Sequence, residues 1–173
     1  MTVKPDFEKK IPPGDDRMRS VCERCGFVDY ENPKIVVGSV ALWEDKILLC
    51  KRAIEPRSGY WTLPAGYMEL GESAEEGARR EAMEEAHAHL EIDRLLAVYS
   101  IPRISQVQLM FRARLISPDV KAGIESADVM LFEWDAIPWP DIAFPTVGWA
   151  LRHYRQTRHE KDFAPFSNPV DGV

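Results

Sequence analysis

Seven glutamates lie within residues 66–85 (GYMELGESAEEGARREAMEE), a stretch that holds only two basic residues. Its local charge balance of −5 is close to the −6 of the whole chain. Carboxylates this close together repel one another unless a cation lies among them. Mg²⁺ prefers hard oxygen ligands of this kind. The stretch is therefore typical of a magnesium-dependent site for phosphate chemistry.

A helix is predicted to carry the last of these glutamates. Ser73 and Glu76 have the spacing of a capping box, so the helix should begin at Ala74. Good helix formers then continue to about Ala88. Side chains at positions i, i+3 and i+4 share one arc of a helix. The three glutamates placed in this way are Glu81, Glu84 and Glu85. They can supply the oxygen ligands of magnesium or manganese.

Two further residues are expected to support the carboxylates. Arg80 lies one turn before Glu84 and can hold a carboxylate in place. Gly66 lets the backbone turn tightly before the helix and can offer a carbonyl oxygen to the metal. The alternative interpretation is a solvated acidic helix face, which is the usual role of a run of helical glutamates.

The full spacing resembles the Nudix box. It reads glycine, five residues, glutamate, seven residues, arginine and glutamate, a small apolar residue, one more residue, and two glutamates. The matching positions are Gly66, Glu72, Arg80, Glu81, Ala82, Glu84 and Glu85. One position departs from the pattern, because His87 stands where the family usually has a glycine that closes the helix.

The resemblance extends over about residues 18–155. The segments that carry it are CERCGFVDYENPKIVVG, LLCKR, WTLPAGYMELGES, DAIPW and IAFP. They are similar to bacterial ADP-ribose pyrophosphatase-like proteins and to the plant chloroplast FAD pyrophosphatase. The resemblance implies hydrolysis, with Mg²⁺ or Mn²⁺, of a nucleoside diphosphate linked to another group, with release of AMP. FAD and ADP-ribose are the favoured substrates, whereas the SQPWPFPxS motif of the NADH pyrophosphatase branch does not occur.

The resemblance also implies residue roles. The metal ligands would be Gly66, Glu81, Glu84 and Glu85. The catalytic set would comprise these glutamates, Arg80 and a base, which could be Glu85, Glu125 or Asp128. The last two are expected in a loop before a strand at 129–134, and a solvated loop carboxylate is an equal alternative for each.

The substrate contacts are predicted from arginines and aromatic residues. Four arginines are candidates for phosphate oxygens, and Arg52 is the best placed because it ends a strand beside the site loop; the four are Arg52, Arg103, Arg112 and Arg114. Phe144 matches an Ala-Phe segment of the family and is a candidate to stack on the substrate's ring. A surface role for each arginine and a core role for Phe144 are the alternatives.

The N-terminal residues contain a CxxCG knuckle at Cys22 and Cys25. Relatives in this branch have a zinc ribbon built from two CxxC pairs, but a second pair does not occur here. We therefore expect a degenerate ribbon without bound zinc. Cys50 lies in an apolar run and is expected in the core.

The sequence predicts an α/β/α sandwich with a mixed sheet, preceded by a short arm. We expect an arm at 1–33, a Nudix hydrolase domain at 34–160 and a flexible tail at 161–173. The expected strands are Lys34–Trp43, Lys46–Arg52, 95–101, Gln106–Leu115 and 129–134, and a closing helix is expected at 146–158.

Composition limits the function classes. The chain has 173 residues, of which 45% are hydrophobic and 29% charged, as in ordinary globular domains. No apolar run is long enough to span a membrane, and we expect no secretion signal, so the cytoplasm is the expected compartment. The negative charge argues against a nucleic-acid partner. We expect a small-molecule substrate and a homodimer. The alternatives are a catalytically inactive Nudix-fold binding protein and a nucleic-acid interaction protein built around the knuckle.

Overall fold

The computed structural model describes residues 6–170, which fall into two compact units, 6–33 and 34–170. The first unit contains a small antiparallel sheet of three strands in sequential order. These strands are β1 (Phe7–Lys10), β2 (Arg19–Cys22) and β3 (Val28–Asp29). The CxxCG knuckle connects β2 to β3, and the Cys22 N–H donates to the Phe27 carbonyl across this turn (2.8 Å).

The second unit is built on a sheet of seven strands. They are β4 (Lys34–Trp43), β5 (Lys46–Arg52), β6 (Trp61–Thr62), β7 (Ala65–Tyr67), β8 (Leu90–Ile101), β9 (Gln106–Leu115) and β10 (Ser126–Phe132). The main path runs β10-β5-β4-β9-β8, while β6 pairs with β5 and β7 pairs with β4. The sheet is mixed because β4 and β9 are parallel and the other pairs are antiparallel.

Two helices cover the two faces of this sheet. Helix α1 (Ala74–Ala86) packs on one face through small, fully buried residues, and these are Ala78, Ala82 and Ala86. Helix α2 (Pro145–Thr157) packs on the other face, where Trp149, Ala150 and Leu151 join the largest hydrophobic core. This is the predicted α/β/α sandwich with a mixed sheet.

Helix α1 begins where the capping box predicts. The Ser73 side chain accepts a hydrogen bond from the Glu76 N–H (3.3 Å), and the Glu76 carboxylate accepts one from the Ser73 N–H (2.7 Å). The helix ends at Ala86, two residues before the expected end. His87 adopts the left-handed conformation (φ 48°) that a closing glycine usually takes. The replacement of glycine by histidine therefore keeps the helix-ending turn.

The prediction of strands was accurate where apolar runs are long. Strands β4, β5 and β9 have the predicted bounds. Strand β8 begins at Leu90, five residues before the predicted start, and β10 begins at Ser126 rather than at 129. Within residues 6–170 no helix is long and apolar enough to cross a membrane.

The prediction of a flexible tail at 161–173 is wrong for the residues around Phe166. Its N–H donates to the Leu96 carbonyl (2.9 Å), and its carbonyl accepts from the Val98 N–H (2.9 Å). The Phe166 ring stacks on His153 at 4.1 Å between ring centroids. An aromatic side chain that loses contact with water stabilises this segment on the free edge of β8.

Candidate active site

The centre of the candidate site is the guanidinium of Arg80. Its Nε and Nη2 atoms donate to the Glu72 carboxylate (3.0 and 2.8 Å), and Nη2 also donates to the Tyr67 carbonyl (2.9 Å). Its Nη1 atom donates to Glu81 (2.7 Å) and Glu84 (2.9 Å). All five donors of the arginine are therefore used, and one cation contacts three carboxylates.

Of the three predicted metal-binding glutamates of α1, two point into the protein and one is exposed. Glu81 and Glu85 are buried, at 8% and 7% exposure, while Glu84 lies on the surface. The Glu85 carboxylate accepts a hydrogen bond from the Ala65 N–H of β7 (3.3 Å). Gly66 follows directly and lies so close to Glu81 that a Cβ atom would overlap that carboxylate. These two side chains therefore pack against strand β7.

This arrangement gives the glutamates different pKa values. Hydrogen bonds from Arg80 lower the pKa of Glu72 to about 2. Burial, followed by the charge of Glu81, raises the pKa of Glu85 to about 8. Burial also raises the pKa of Glu81, against the opposing effect of Arg80. The interior side of α1 thus holds carboxylates for which the single arginine does not compensate.

Of the two candidate bases outside the box, the structure brings Glu125 to the glutamates. After burial and the nearer charges, the charge of Glu125 contributes to the raised pKa values of both Glu81 and Glu85. Asp128 does not lie in a loop as expected, because β10 already begins at Ser126. It stands opposite Lys51, and its carboxylate accepts from the Val129 N–H (2.9 Å).

Arg52 and Phe144, the predicted substrate contacts, lie together. The Arg52 guanidinium is 5.2 Å from the centre of the Phe144 ring, and its Nε donates to the Pro56 carbonyl (2.8 Å). Arg52 also lies close enough for its charge to oppose the burial-driven rise in the pKa of Glu85. The pair therefore combines a cation and an aromatic face beside the glutamates.

The expectation that Arg112 meets phosphate is wrong. It lies on the opposite face of the sheet, where its guanidinium donates to Asp93 and to the carbonyls of Thr157 (2.7 Å) and Glu160 (3.0 Å). Side chains alternate along a strand, so Arg112 and Arg114 of β9 face away from α1. Arg103 is exposed in a short 3₁₀ turn after β8.

The donor set fits a divalent cation, although Arg80 holds two of its members. Glu81, Glu84 and Glu85 offer hard anionic oxygens, and the absence of a side chain at Gly66 leaves the room that the Glu81 carboxylate occupies. No three His, Cys, Asp or Glu side chains of residues 6–170 already converge as a metal site. Glu81 and Glu84 instead contact the Arg80 guanidinium.

The three cysteines have different surroundings, and the charge of Glu85 reaches Cys50. Cys22 is buried and Cys25 exposed in the knuckle of the first unit, and Cys50 is buried under α1 as predicted. All three are free thiols. Backbone N–H groups of Cys25 and Arg24 donate to Cys22 and lower its pKa, whereas burial raises the pKa of Cys50.

Comparison with known proteins assigns this site to a family. The family model described as NUDIX domain matches residues 32–145, about two thirds of the chain, which include every residue of the glutamate site. The chain belongs to the Nudix family. A second Nudix model, described as Nudix N-terminal and named for a zinc ribbon, matches residues 5–31. The chain is thus a Nudix pyrophosphohydrolase with an N-terminal segment related to that ribbon.

Three relatives illustrate the similarity. A Nudix hydrolase of known structure from Nitrosomonas europaea is 48% identical, with a TM-score of 0.88 over 94% of this chain and 93% of that one. An ADP-ribose pyrophosphatase from Methanocaldococcus jannaschii is 33% identical over 63% of this chain and 67% of that protein. A human 8-oxo-dGDP phosphatase is 34% identical over 75% of this chain, which spans only 42% of that protein.

Two contacts of the Nudix site could not be predicted from the sequence around the box. The Tyr67 carbonyl binds Arg80 through the backbone, which any residue type would supply. Gly123 lies against the end of α1, 38 residues after the last box glutamate. Neither contact follows from local spacing, because each depends on how a loop returns to the helix.

Proposed function

We propose that this protein is a Mg²⁺-dependent hydrolase that cleaves the diphosphate bond of a nucleoside diphosphate linked to another group and releases AMP. FAD and ADP-ribose are the favoured substrates. Mn²⁺ is a possible substitute for Mg²⁺, and zinc is not proposed. The homodimer and the cytoplasmic location stay predictions from the sequence.

The observation that carries the proposal is the surplus of carboxylate at the last turn of α1. One guanidinium contacts three carboxylates, and Glu85 is buried beside them with a raised pKa. A divalent cation would balance this charge, with Glu81, Glu84, Glu85 and the Gly66 carbonyl as its ligands. When bound, it would neutralise diphosphate oxygens and orient an attacking water.

The residues of the chain would divide the remaining work. Arg80, fixed by Glu72 and Tyr67, would orient Glu81 and Glu84. A carboxylate, Glu85 or Glu125, would accept the proton of the attacking water at one of its oxygens. Asp128 is the weaker candidate for this role because it lies inside β10.

The residues proposed to contact the substrate are Arg52 and Phe144. Arg52 would contact a phosphate oxygen with the donors that the Pro56 carbonyl leaves free. Phe144 would offer its ring to an aromatic part of the substrate. The Methanocaldococcus jannaschii relative named as an ADP-ribose pyrophosphatase supports this substrate class. The human relative named as an 8-oxo-dGDP phosphatase makes oxidised guanine nucleotides a second candidate class.

The deciding experiment is a turnover assay with FAD, ADP-ribose, NADH, 8-oxo-dGDP and nucleoside triphosphates. Each compound is incubated with Mg²⁺ or Mn²⁺, and the products are separated by chromatography. The Glu84→Gln variant, which keeps the shape of the side chain, is the matched control. We expect AMP from FAD or ADP-ribose with the unaltered protein and at least about a hundredfold less with the variant.

The other outcomes separate the alternatives. Release of 8-oxo-dGMP instead of AMP would replace the proposed substrate class by the second one. Equal turnover by both proteins would show that Glu84 is not a metal ligand that the reaction needs. No turnover with any compound, together with ligand binding in a calorimetric titration, would favour a catalytically inactive Nudix-fold binding protein.

A further inference from the structure

The end of helix α1 is closed by a loop that is distant in sequence. The last carbonyls of a helix have no partner inside the helix. Here the Glu85 carbonyl accepts from the Gly123 N–H (3.0 Å), and the Ala86 carbonyl accepts from the Lys121 N–H (2.9 Å). The turn that carries Glu84 and Glu85 is therefore bonded to the segment before β10.

This contact requires a glycine. A Cβ atom on Gly123 would overlap the Glu84 carbonyl oxygen, and the obstructing atoms belong to the backbone of α1, which cannot turn away as a flexible side chain would. Gly148 in α2 offers a contrast, because a Cβ there would meet nothing closer than 3.5 Å. Gly123 thus lets the loop lie directly against the metal-binding turn.

The same loop is bonded at its other end to the sheet. The Ser126 N–H donates to the Gly123 carbonyl (3.1 Å), and the Ala53 N–H donates to the Glu125 carbonyl (2.8 Å). Glu125 is consequently fixed between the end of α1 and the segment that follows β5. Its charge reaches Glu81 and Glu85 from this position.

We infer that residues 121–125, here termed the clasp, position the catalytic turn of α1 and Glu125 relative to each other, with Gly123 as the positioning residue. The inference rests on the proposed function. Catalysis depends on the placement of reacting groups within less than about 1 Å, so a small displacement of the clasp should cost turnover more than substrate binding.

The first test compares Gly123→Ala with Gly148→Ala in the full chain. Both replace glycine by alanine in the same domain, but only the first forces the clasp away from α1. For Gly123→Ala we expect kcat to fall at least about tenfold with KM changed less than about threefold. Gly148→Ala should keep both constants, since its methyl group has room.

Two readouts do not need the reaction. Calorimetric titration with Mn²⁺ should give a Kd at least about tenfold weaker for Gly123→Ala than for the unaltered protein. In the Gly123→Ala variant, hydrogen exchange of the backbone amides at positions 121 and 123 should be faster than in the unaltered protein, because their acceptors on α1 are lost. Circular dichroism and the Tm establish how much of each variant is folded.

A second pair covers the case in which Gly123→Ala does not fold. Lys121→Pro removes the N–H that donates to the Ala86 carbonyl, whereas Lys121→Ala keeps it. The clasp predicts a larger loss of kcat and of Mn²⁺ affinity for the proline variant than for the alanine variant. Equal behaviour of this pair, or a folded Gly123→Ala with unchanged kcat and Mn²⁺ affinity, would overturn the inference.

The failure of the clasp and the failure of the proposed function give different results. If the unaltered protein hydrolyses none of the dinucleotides, the proposed function fails, and Mn²⁺ affinity and hydrogen exchange still decide whether the clasp orders the turn. If the unaltered protein is active and both variant pairs match their controls, the proposed function stands and the clasp is rejected.

Discussion

Arg80 and Arg112 both bind carboxylates, but they lie on opposite faces of the sheet and differ in charge balance. Arg112 donates to one carboxylate, that of Asp93, and to two backbone carbonyls at the end of α2. Its guanidinium also lies 4.8 Å from the centre of the Phe163 ring. Asp93 also lies 3.7 Å from Arg94, which pairs with Asp162 (2.7 Å), so two positive and two negative charges balance in this network. The network connects β8 and β9 to the end of α2.

Arg80 uses the same chemistry with an unequal set of partners. It contacts three carboxylates, and Glu85 is buried beside them. An arginine network that is balanced needs nothing further, whereas a surplus of buried carboxylate disfavours the folded chain until a cation arrives. The surplus of carboxylate around Arg80, and not the ion pair itself, distinguishes the candidate site from the Arg112 network.

The substitution of Glu85 should have the greatest consequence for activity. Glu85→Gln removes a buried carboxyl that must keep a proton in the metal-free protein and give a carboxylate to the reaction, so we expect kcat to fall by about 10²–10⁴ while the Tm of the metal-free protein rises or stays the same. Steady-state kinetics with Mg²⁺ and thermal unfolding in EDTA measure the two effects. A variant that loses stability and keeps activity would place Glu85 in the scaffold.

The second prediction concerns the N–H donors of the Arg80 guanidinium. A lysine keeps the positive charge but cannot bond Glu72, Glu81, Glu84 and Tyr67 together, so Arg80→Lys should lower kcat/KM by about 10- to 100-fold. Arg79→Lys is the matched control, because the one ion pair of Arg79 within residues 6–170 is an exposed contact with Glu75 at 3.9 Å. The same kinetics for both variants would mean that charge alone suffices at position 80.

The third prediction is a loss of stability when the Arg112 network is disrupted. Arg112→Met removes the hydrogen-bond donor of the Asp93 carboxylate and of the Glu160 carbonyl, while the Thr157 carbonyl keeps the Glu160 N–H. We expect the free energy of unfolding to fall by about 2 kcal/mol. Denaturant titration measures it, with Arg114→Met as the exposed control on the same strand. The kcat of folded Arg112→Met should equal that of the unaltered protein, and a raised KM would restore Arg112 as a phosphate contact.

The smallest effect is a pH dependence of the stabilisation by metal. The pKa of Glu85 is raised from 4.5 to about 8, so between these values the folded protein holds a proton that the unfolded chain has lost. The stability of the metal-free protein should therefore decrease as the pH rises through this range.

A bound divalent cation would favour the charged carboxylate and remove this loss. The rise in Tm on adding Mg²⁺ should then be larger at about pH 8 than at about pH 5.5. Differential scanning fluorimetry measures it, and Glu85→Gln should flatten the dependence. An equal rise at both pH values, or a larger one at the lower pH, would contradict the assigned acidity of Glu85.

The helix and its glutamates could be predicted because their signals are local. The spacing of Ser73 and Glu76 places the start of α1, and the positions of Glu81, Glu84 and Glu85 place three carboxylates on one arc. The long apolar runs likewise predict β4 and β5 with their correct bounds. The tail could not be predicted in this way, since Phe166 is ordered by contacts with β8 and His153.

The reaction class of this protein can be predicted from its sequence alone, because the Nudix box is a set of residues at fixed short distances along the chain. Only the tertiary structure decided that Arg112 belongs to the scaffold, that Glu125 rather than Asp128 approaches the glutamates, and that Gly123 closes α1. The physical reason is that helix spacing is set by local backbone geometry. Strand register and loop return depend instead on residues far apart in the chain, which the spacing within one segment does not record.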